Sequence, residues 1–187
     1  MADRKAASRK QKKLKLYKLA LARSDFAASR RACELMGAHV QGHDHPLYFH
    51  LFSSAVVAYA KPFVDNKSFG SLPSEWRKFE HPWMAQVHSD AIKARHEVIA
   101  HNDASVRKMW ILPPSSMPEG IPAASAIGLS LKIEGYYVSG GFFTSLFHLC
   151  DYQIHRLNDA VDEQLSSLYE GRAMPSGELL LNIDDEL

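Results

Sequence analysis

Apolar residues recur at helical spacing through the first half of the chain, and prolines and glycines mark where each run ends. The stretch from Lys12 to Val40 consists of good helix formers without proline and predicts one or two helices. A second helix is expected to begin at Pro46, because proline is tolerated in a first turn, and to stop near Pro62. A loop should follow over Asn66–Pro73.

The second half begins with a short helix at Ser74 and a longer one that starts at Pro82 and ends near Asp103. Two short apolar runs, Val106–Leu112 and Ala126–Ile133, then predict a small hairpin or flap. A last long helix is expected after the Ser139-Gly140-Gly141 segment. It should carry a broad apolar face and end at Gly171 and Pro175.

These elements predict an all-α fold: a bundle of four or five helices with a small β-hairpin insertion. At 187 residues and 21.0 kDa the chain fits one domain, 1–187. Within it, residues 1–18 form a basic arm, 104–135 the hairpin or flap, and 176–187 an acidic tail. A hydrophobic content of 46% and a charged content of 23% exclude disordered, collagen-like and integral membrane proteins. The basic start leads into more charge rather than an apolar segment, so we expect a cytoplasmic protein.

The formal charge of +1 conceals a polarity, because eleven of the 22 basic residues lie between Arg4 and Arg31. Two interpretations of the arm stay open: it is a solvated, frayed terminus, or its lysines and arginines neutralise nucleic-acid phosphates. Cys33 and Cys150 are the only cysteines, too few for a disulfide framework or a cysteine zinc site. We expect two reduced thiols in the core.

The densest cluster of reactive side chains runs from Arg95 to Asp103, at the end of a predicted helix. Arg95 offers a permanent cation that can hold a phosphate in bidentate fashion, beside the imidazoles of His96 and His101. RNA cleavage needs these groups: a base for the ribose 2′-hydroxyl, a cation for the phosphorane, and an acid for the departing 5′-oxygen. On one α-helix, however, Arg95 and His101 lie roughly 120° and about 9 Å apart. A symmetric dimer that sets two clusters face to face would complete the site.

At this cluster the sequence resembles the HEPN superfamily (higher eukaryotes and prokaryotes nucleotide-binding domains). The family signature is an arginine, usually followed by a polar residue, with a histidine four to six positions beyond the arginine. Arg95, His96 and His101 match it. The segments Leu47–Phe52 and Ala58–Phe63 are similar to a bacterial branch associated with abortive infection, and the likeness covers Pro46 to Asp103.

The resemblance implies a helical homodimer and a metal-independent endoribonuclease that leaves a 2′,3′-cyclic phosphate, acting as a toxin or phage-defence effector. It implies RNA as substrate, an antitoxin or regulatory protein as a further partner, and no cofactor. In this hypothesis His101 is the general base or acid, Arg95 binds the phosphate, and His96 polarises or orients them. Asn102 and Asp103 are expected to contact and orient these three side chains.

Other interpretations remain open at this stage. Arg95 could form a surface ion pair with Glu97 or Asp90, and His101 could be a histidine favoured at a helix C-terminus. The protein could instead be a non-catalytic dimer that binds RNA, a nucleotide or a protein through the basic arm.

Ten histidines also raise the question of a metal site. The best candidate is His148 with Asp151 and His155, one stripe of the last helix, although a polar outer face is the more ordinary explanation. Further histidine groups are His43 with His45 around Asp44, expected to be a loop, and the set His81, His88 and His96. Three aromatic residues could stack on bases but are more ordinarily core: Tyr59, Phe63 and Trp83.

Overall fold

The computed structural model describes residues 2–65, 70–100, 109–113, 130–133, 138 and 140–183. Over these ranges the chain is mostly helical, as the apolar pattern predicts. The four α-helices are α1 (Ala2–His39), α2 (Tyr48–Ala60), α3 (Pro82–Ala94) and α4 (Gly140–Tyr169).

Helix α1 is a single element rather than two, and it begins ten residues before the predicted start at Lys12. Nothing between Ala2 and His39 removes a backbone donor, since this stretch contains no proline. Helix α2 begins at Tyr48 and not at Pro46. Pro46 lies in a turn over 42–47, where the His45 amide donates to the Gly42 carbonyl (3.2 Å) and the Tyr48 amide to the His45 carbonyl (2.9 Å).

Short elements link the helices. A 3₁₀ turn over Lys61–Phe63 ends α2 at the predicted proline, and a second over Ser74–Arg77 coincides with the predicted short helix. Strands β1 (Met109–Leu112) and β2 (Ser130–Ile133) pair antiparallel. Of the rest of the predicted 104–135 insertion, the described residues include only Pro113.

The core lies where α1 packs against α4 and α2. Its fully buried large side chains include Phe26, Phe52, Tyr59, Leu146 and Leu157. Burying each such apolar side chain stabilises the fold by about 1.5–3 kcal/mol. No helix of the described part of the chain has the length and apolar character needed to cross a membrane.

The two cysteines are buried and free, as predicted. Burial raises the pKa of both thiols, that of Cys150 to about 12, so both stay protonated. The Cys150 thiol donates to the Ser29 hydroxyl (3.3 Å), which in turn donates to the Ala55 carbonyl (2.8 Å). This chain of hydrogen bonds joins α4, α1 and α2 in the interior.

Candidate functional site

Helix α3 changes geometry where the predicted reactive cluster begins. Pro82 occupies its first turn, and after Ala94 the backbone widens into a π-helical turn over Arg95–Ala100. Single π turns inside helices occur frequently at functional sites. Arg95 and His96 therefore lie on an altered turn at the end of the helix, Arg95 half-buried and His96 exposed.

The side chains of Arg95 and His96 contact each other. Nη1 of Arg95 lies 3.3 Å from Nδ1 of His96. A guanidinium can only donate a hydrogen bond, so Arg95 is the donor in this contact and Nδ1 of His96 the acceptor. The pair thus presents a permanent cation beside an exposed imidazole.

The carboxylates proposed as partners of Arg95 are engaged elsewhere. Glu97 lies 3.9 Å from the ammonium of Lys93, and Asp90 accepts a hydrogen bond from the Gln86 amide (2.9 Å). Among the residues that the structure describes, no carboxylate lies within ion-pair distance of Arg95. Neither Glu97 nor Asp90 therefore forms the surface ion pair with Arg95 that the sequence left open.

Arg95 lines a cavity of about 430 Å³ between α1, the end of α2 and the segment after Lys61. Lys18 and Lys61 line the same cavity. Lys61 pairs with Asp25 (3.4 Å), and Lys18 donates to the Ser71 carbonyl (3.2 Å). In this structure Arg95 contacts an imidazole and Lys18 a carbonyl, whereas Lys61 has a carboxylate partner. The carboxylates Asp25 and Asp65 line the same cavity.

The remaining residues of the predicted site, His101, Asn102 and Asp103, lie outside the described residues. The spacing between Arg95 and His101 and the meeting of two clusters in a dimer stay predictions.

His88 is held in place by contacts with Tyr59 and Phe63 that the sequence did not reveal. Its Nδ1 lies 2.9 Å from the Tyr59 hydroxyl, and its ring packs edge-on against Phe63, with centroids 4.7 Å apart. Burial and the neighbouring Arg77 guanidinium lower the pKa of His88 to about 4. The imidazole is therefore neutral at pH 7. In the sequence, His88 stands out only in the set His81, His88 and His96, and that spacing does not indicate its contact with Tyr59.

The sequence-level metal sites do not assemble in the described residues. Asp151 forms an ion pair with Arg30 (2.7 Å) instead of meeting His148 and His155 at a shared point. Over the described part of the chain, no three histidine, cysteine or acidic side chains converge on one position. Tyr59 and Phe63 are buried in the core, whereas Trp83 is 41% exposed.

Part of the basic arm contacts the protein's own C-terminal segment. Lys13 is only 1% exposed and donates to the Asn182 carbonyl (2.6 Å), while Lys12 donates to the Ser167 carbonyl (3.0 Å). The Tyr17 hydroxyl donates to the Leu181 carbonyl. These groups are engaged in internal contacts in this structure, which reduces what the arm can offer to phosphates.

Searches against models of protein families, curated proteins and solved structures found no significant match to this chain.

Proposed function

We propose that the protein is a metal-independent endoribonuclease of the HEPN type. One observation supports this best: Arg95, which no described carboxylate neutralises, shares an altered helix end with an accessible imidazole. A guanidinium binds phosphate oxygens in bidentate fashion, and its charge stabilises a phosphorane. The proposal assigns this role to Arg95.

The proposed reaction moves two protons and requires no cofactor. His101 removes the proton of a ribose 2′-hydroxyl, and the resulting oxygen attacks the adjacent phosphorus. The bond from phosphorus to the 5′-oxygen breaks, and that oxygen takes a proton from the protonated imidazole of His101 in the second copy, which ends neutral. His96 contributes its Nε2–H as a hydrogen-bond donor to the phosphate or to the leaving oxygen. The products are a 2′,3′-cyclic phosphate and a free 5′-hydroxyl.

The proposal includes the finer architecture as well. The helices form one bundle, the strands β1 and β2 belong to a hairpin insertion, and two copies of the chain bring their helix ends together. In this arrangement the second copy completes the catalytic group by bringing its His101 to the Arg95 of the first copy. Light scattering should give a mass about twice the 21.0 kDa of one chain. A strict monomer would contradict the shared site.

The test is cleavage of a defined RNA by the purified protein in the presence of EDTA. The expected products carry a 2′,3′-cyclic phosphate, which mass spectrometry distinguishes from a 3′-hydroxyl end. His101→Ala should lower the rate at least about 100-fold, the typical contribution of general acid–base catalysis. His155→Ala, which removes an exposed imidazole of α4, is the matched control and should cleave like the wild type.

Two results would overturn the catalytic assignment. One is a wild-type protein that cleaves nothing, and the other is equal cleavage by His101→Ala and His155→Ala. RNA binding without cleavage, abolished by deleting residues 1–18 and weakened steeply by salt, would instead identify a non-catalytic binder.

A further inference from the structure

A second cavity, of about 550 Å³, lies between the C-terminal part of α1 and the start of α4. It shares no lining residue with the cavity beside Arg95. Its volume falls in the range of small-molecule sites, which hold about 300–1,000 Å³.

The inner wall of this cavity is apolar, and the Tyr48 hydroxyl on it already has hydrogen-bond partners within the protein. Met36 and Phe143 are buried there, and Cys33 contributes a protonated thiol. The Tyr48 hydroxyl accepts a hydrogen bond from the Val138 amide (3.0 Å) and donates to the Val138 carbonyl (3.4 Å). The polar atom at this wall therefore already has partners, and a ligand here would meet mainly apolar and aromatic surface.

Permanent charge is nearly absent from the lining. Of the described residues that form it, Glu34 alone carries a fixed charge, and Glu34 pairs with Arg31 (2.8 Å). Neither lysine nor arginine lines the described wall, so an anionic ligand would lose its hydration without gaining a counter-ion. The other polar side chains of the described lining are at the exposed rim: Gln41 and His43 after α1, and Thr144 and His148 on α4.

Gly37 lines the cavity at a position where a larger side chain can be introduced. Gly37 lies in the last turns of α1, and a Cβ added to it would meet no atom within 4 Å. Glycine at a helical position costs about 1 kcal/mol relative to alanine. The backbone conformation is helical and does not require glycine, so a larger residue fits here without strain.

From this lining we infer that the cavity binds an uncharged, largely apolar small molecule whose polar part faces the rim. Apolar pockets with a few polar groups at fixed positions are the usual form of such sites.

A pair of fluorescent probes with one ring system tests both the site and the class of ligand. N-phenyl-1-naphthylamine is uncharged, and 8-anilinonaphthalene-1-sulfonate adds a sulfonate to the same framework. We expect saturable 1:1 binding of the uncharged probe, at least about tenfold tighter than that of the sulfonate, because no lysine or arginine lines the described wall. Tighter binding of the sulfonate, or no saturable binding of the uncharged probe, would overturn the proposal.

A matched pair of variants locates the binding. Gly37→Leu places a large side chain at a lining position and improves helix propensity, so it should fold at least as well as the wild type and bind the probe at least about tenfold more weakly. Ala38→Leu adds the same side chain at the next, exposed position of α1, outside the lining, and should bind normally. Equal binding by the two variants would place the probe elsewhere and refute the site.

Discussion

At the scale of single residues, the burial of polar groups separates what the sequence could predict from what it could not. The cysteines were predictable as core thiols, because free cysteine is commonly buried. His88 was not: its bond to Tyr59 joins two helices, and single-sequence reasoning has no access to that distance. Arg95 and His96 were singled out by residue type, but their mutual contact and the engagement of Glu97 and Asp90 elsewhere emerge only in the structure.

The neutral state of His88 makes stability depend on pH. Its folded pKa of about 4 lies below the ordinary 6.5, so the unfolded chain binds more protons between these values. The stabilisation that the fold gains from a neutral His88 is complete above pH 6.5 and is lost as the pH falls toward 4. With allowance for solvent screening, we expect a loss of about 1 kcal/mol from pH 7 to pH 5.

Urea unfolding at the two pH values measures this. The double variant Tyr59→Phe with His88→Phe removes both partners, leaves neither group unpaired, and should lose this part of the pH dependence. If the double variant lost as much stability between pH 7 and pH 5 as the wild type, His88 would not titrate as described.

A second buried polar side chain gives a stability prediction. Gln153 is fully buried on α4 and donates to the Trp76 carbonyl (2.8 Å). Gln153→Leu keeps the approximate volume but leaves that carbonyl unpaired, so unfolding should cost about 2 kcal/mol less. Gln86→Leu, at an exposed position of α3, is the control and should change stability by less than about 0.5 kcal/mol. Equal effects of the two changes would argue against the buried bond.

At the scale of elements, periodicity and breakers predicted the helices, while the ends depended on local hydrogen bonds. Pro82 is the first residue of α3, as predicted. Pro46 does not start α2, because it lies in a turn over 42–47 that is closed by backbone hydrogen bonds. The π turn after Ala94 could not be predicted from spacing, since an α-helix and a π turn can carry the same residues. It changes the geometry on which the sequence-based distance from Arg95 to His101 rests.

The contact of α1 with the C-terminal segment is an element-scale feature that can be tested. Lys13 is buried and holds the Asn182 carbonyl, so Lys13→Met should weaken the attachment of residues 178–183. A hydrogen bond from a charged donor contributes about 1.5–3 kcal/mol, so amide hydrogen exchange in this segment should accelerate about tenfold or more. Lys15→Met, at an exposed position of the same helix, should leave the exchange unchanged. Equal exchange in both variants would mean that Lys13 does not hold the segment.

At the scale of the whole molecule, two separate surfaces emerge. The first is the end of α3, where Arg95 and His96 meet beside a cavity with lysines on its wall. The second is the uncharged cavity between α1 and α4. The sequence directed attention to the first, because its chemistry is carried by neighbouring residues. It could not reveal the second, whose wall is assembled from two stretches of chain that lie 90 positions apart.

The central claim is that Arg95 supplies the charge that stabilises the phosphate during cleavage. It is tested most directly by the initial rate of RNA cleavage in EDTA for Arg95→Ala, compared with Arg31→Ala, which removes the same charge from an exposed position of α1. The account predicts a loss of at least about 100-fold for Arg95→Ala and nearly full activity for Arg31→Ala. Equal rates for the two variants would contradict it.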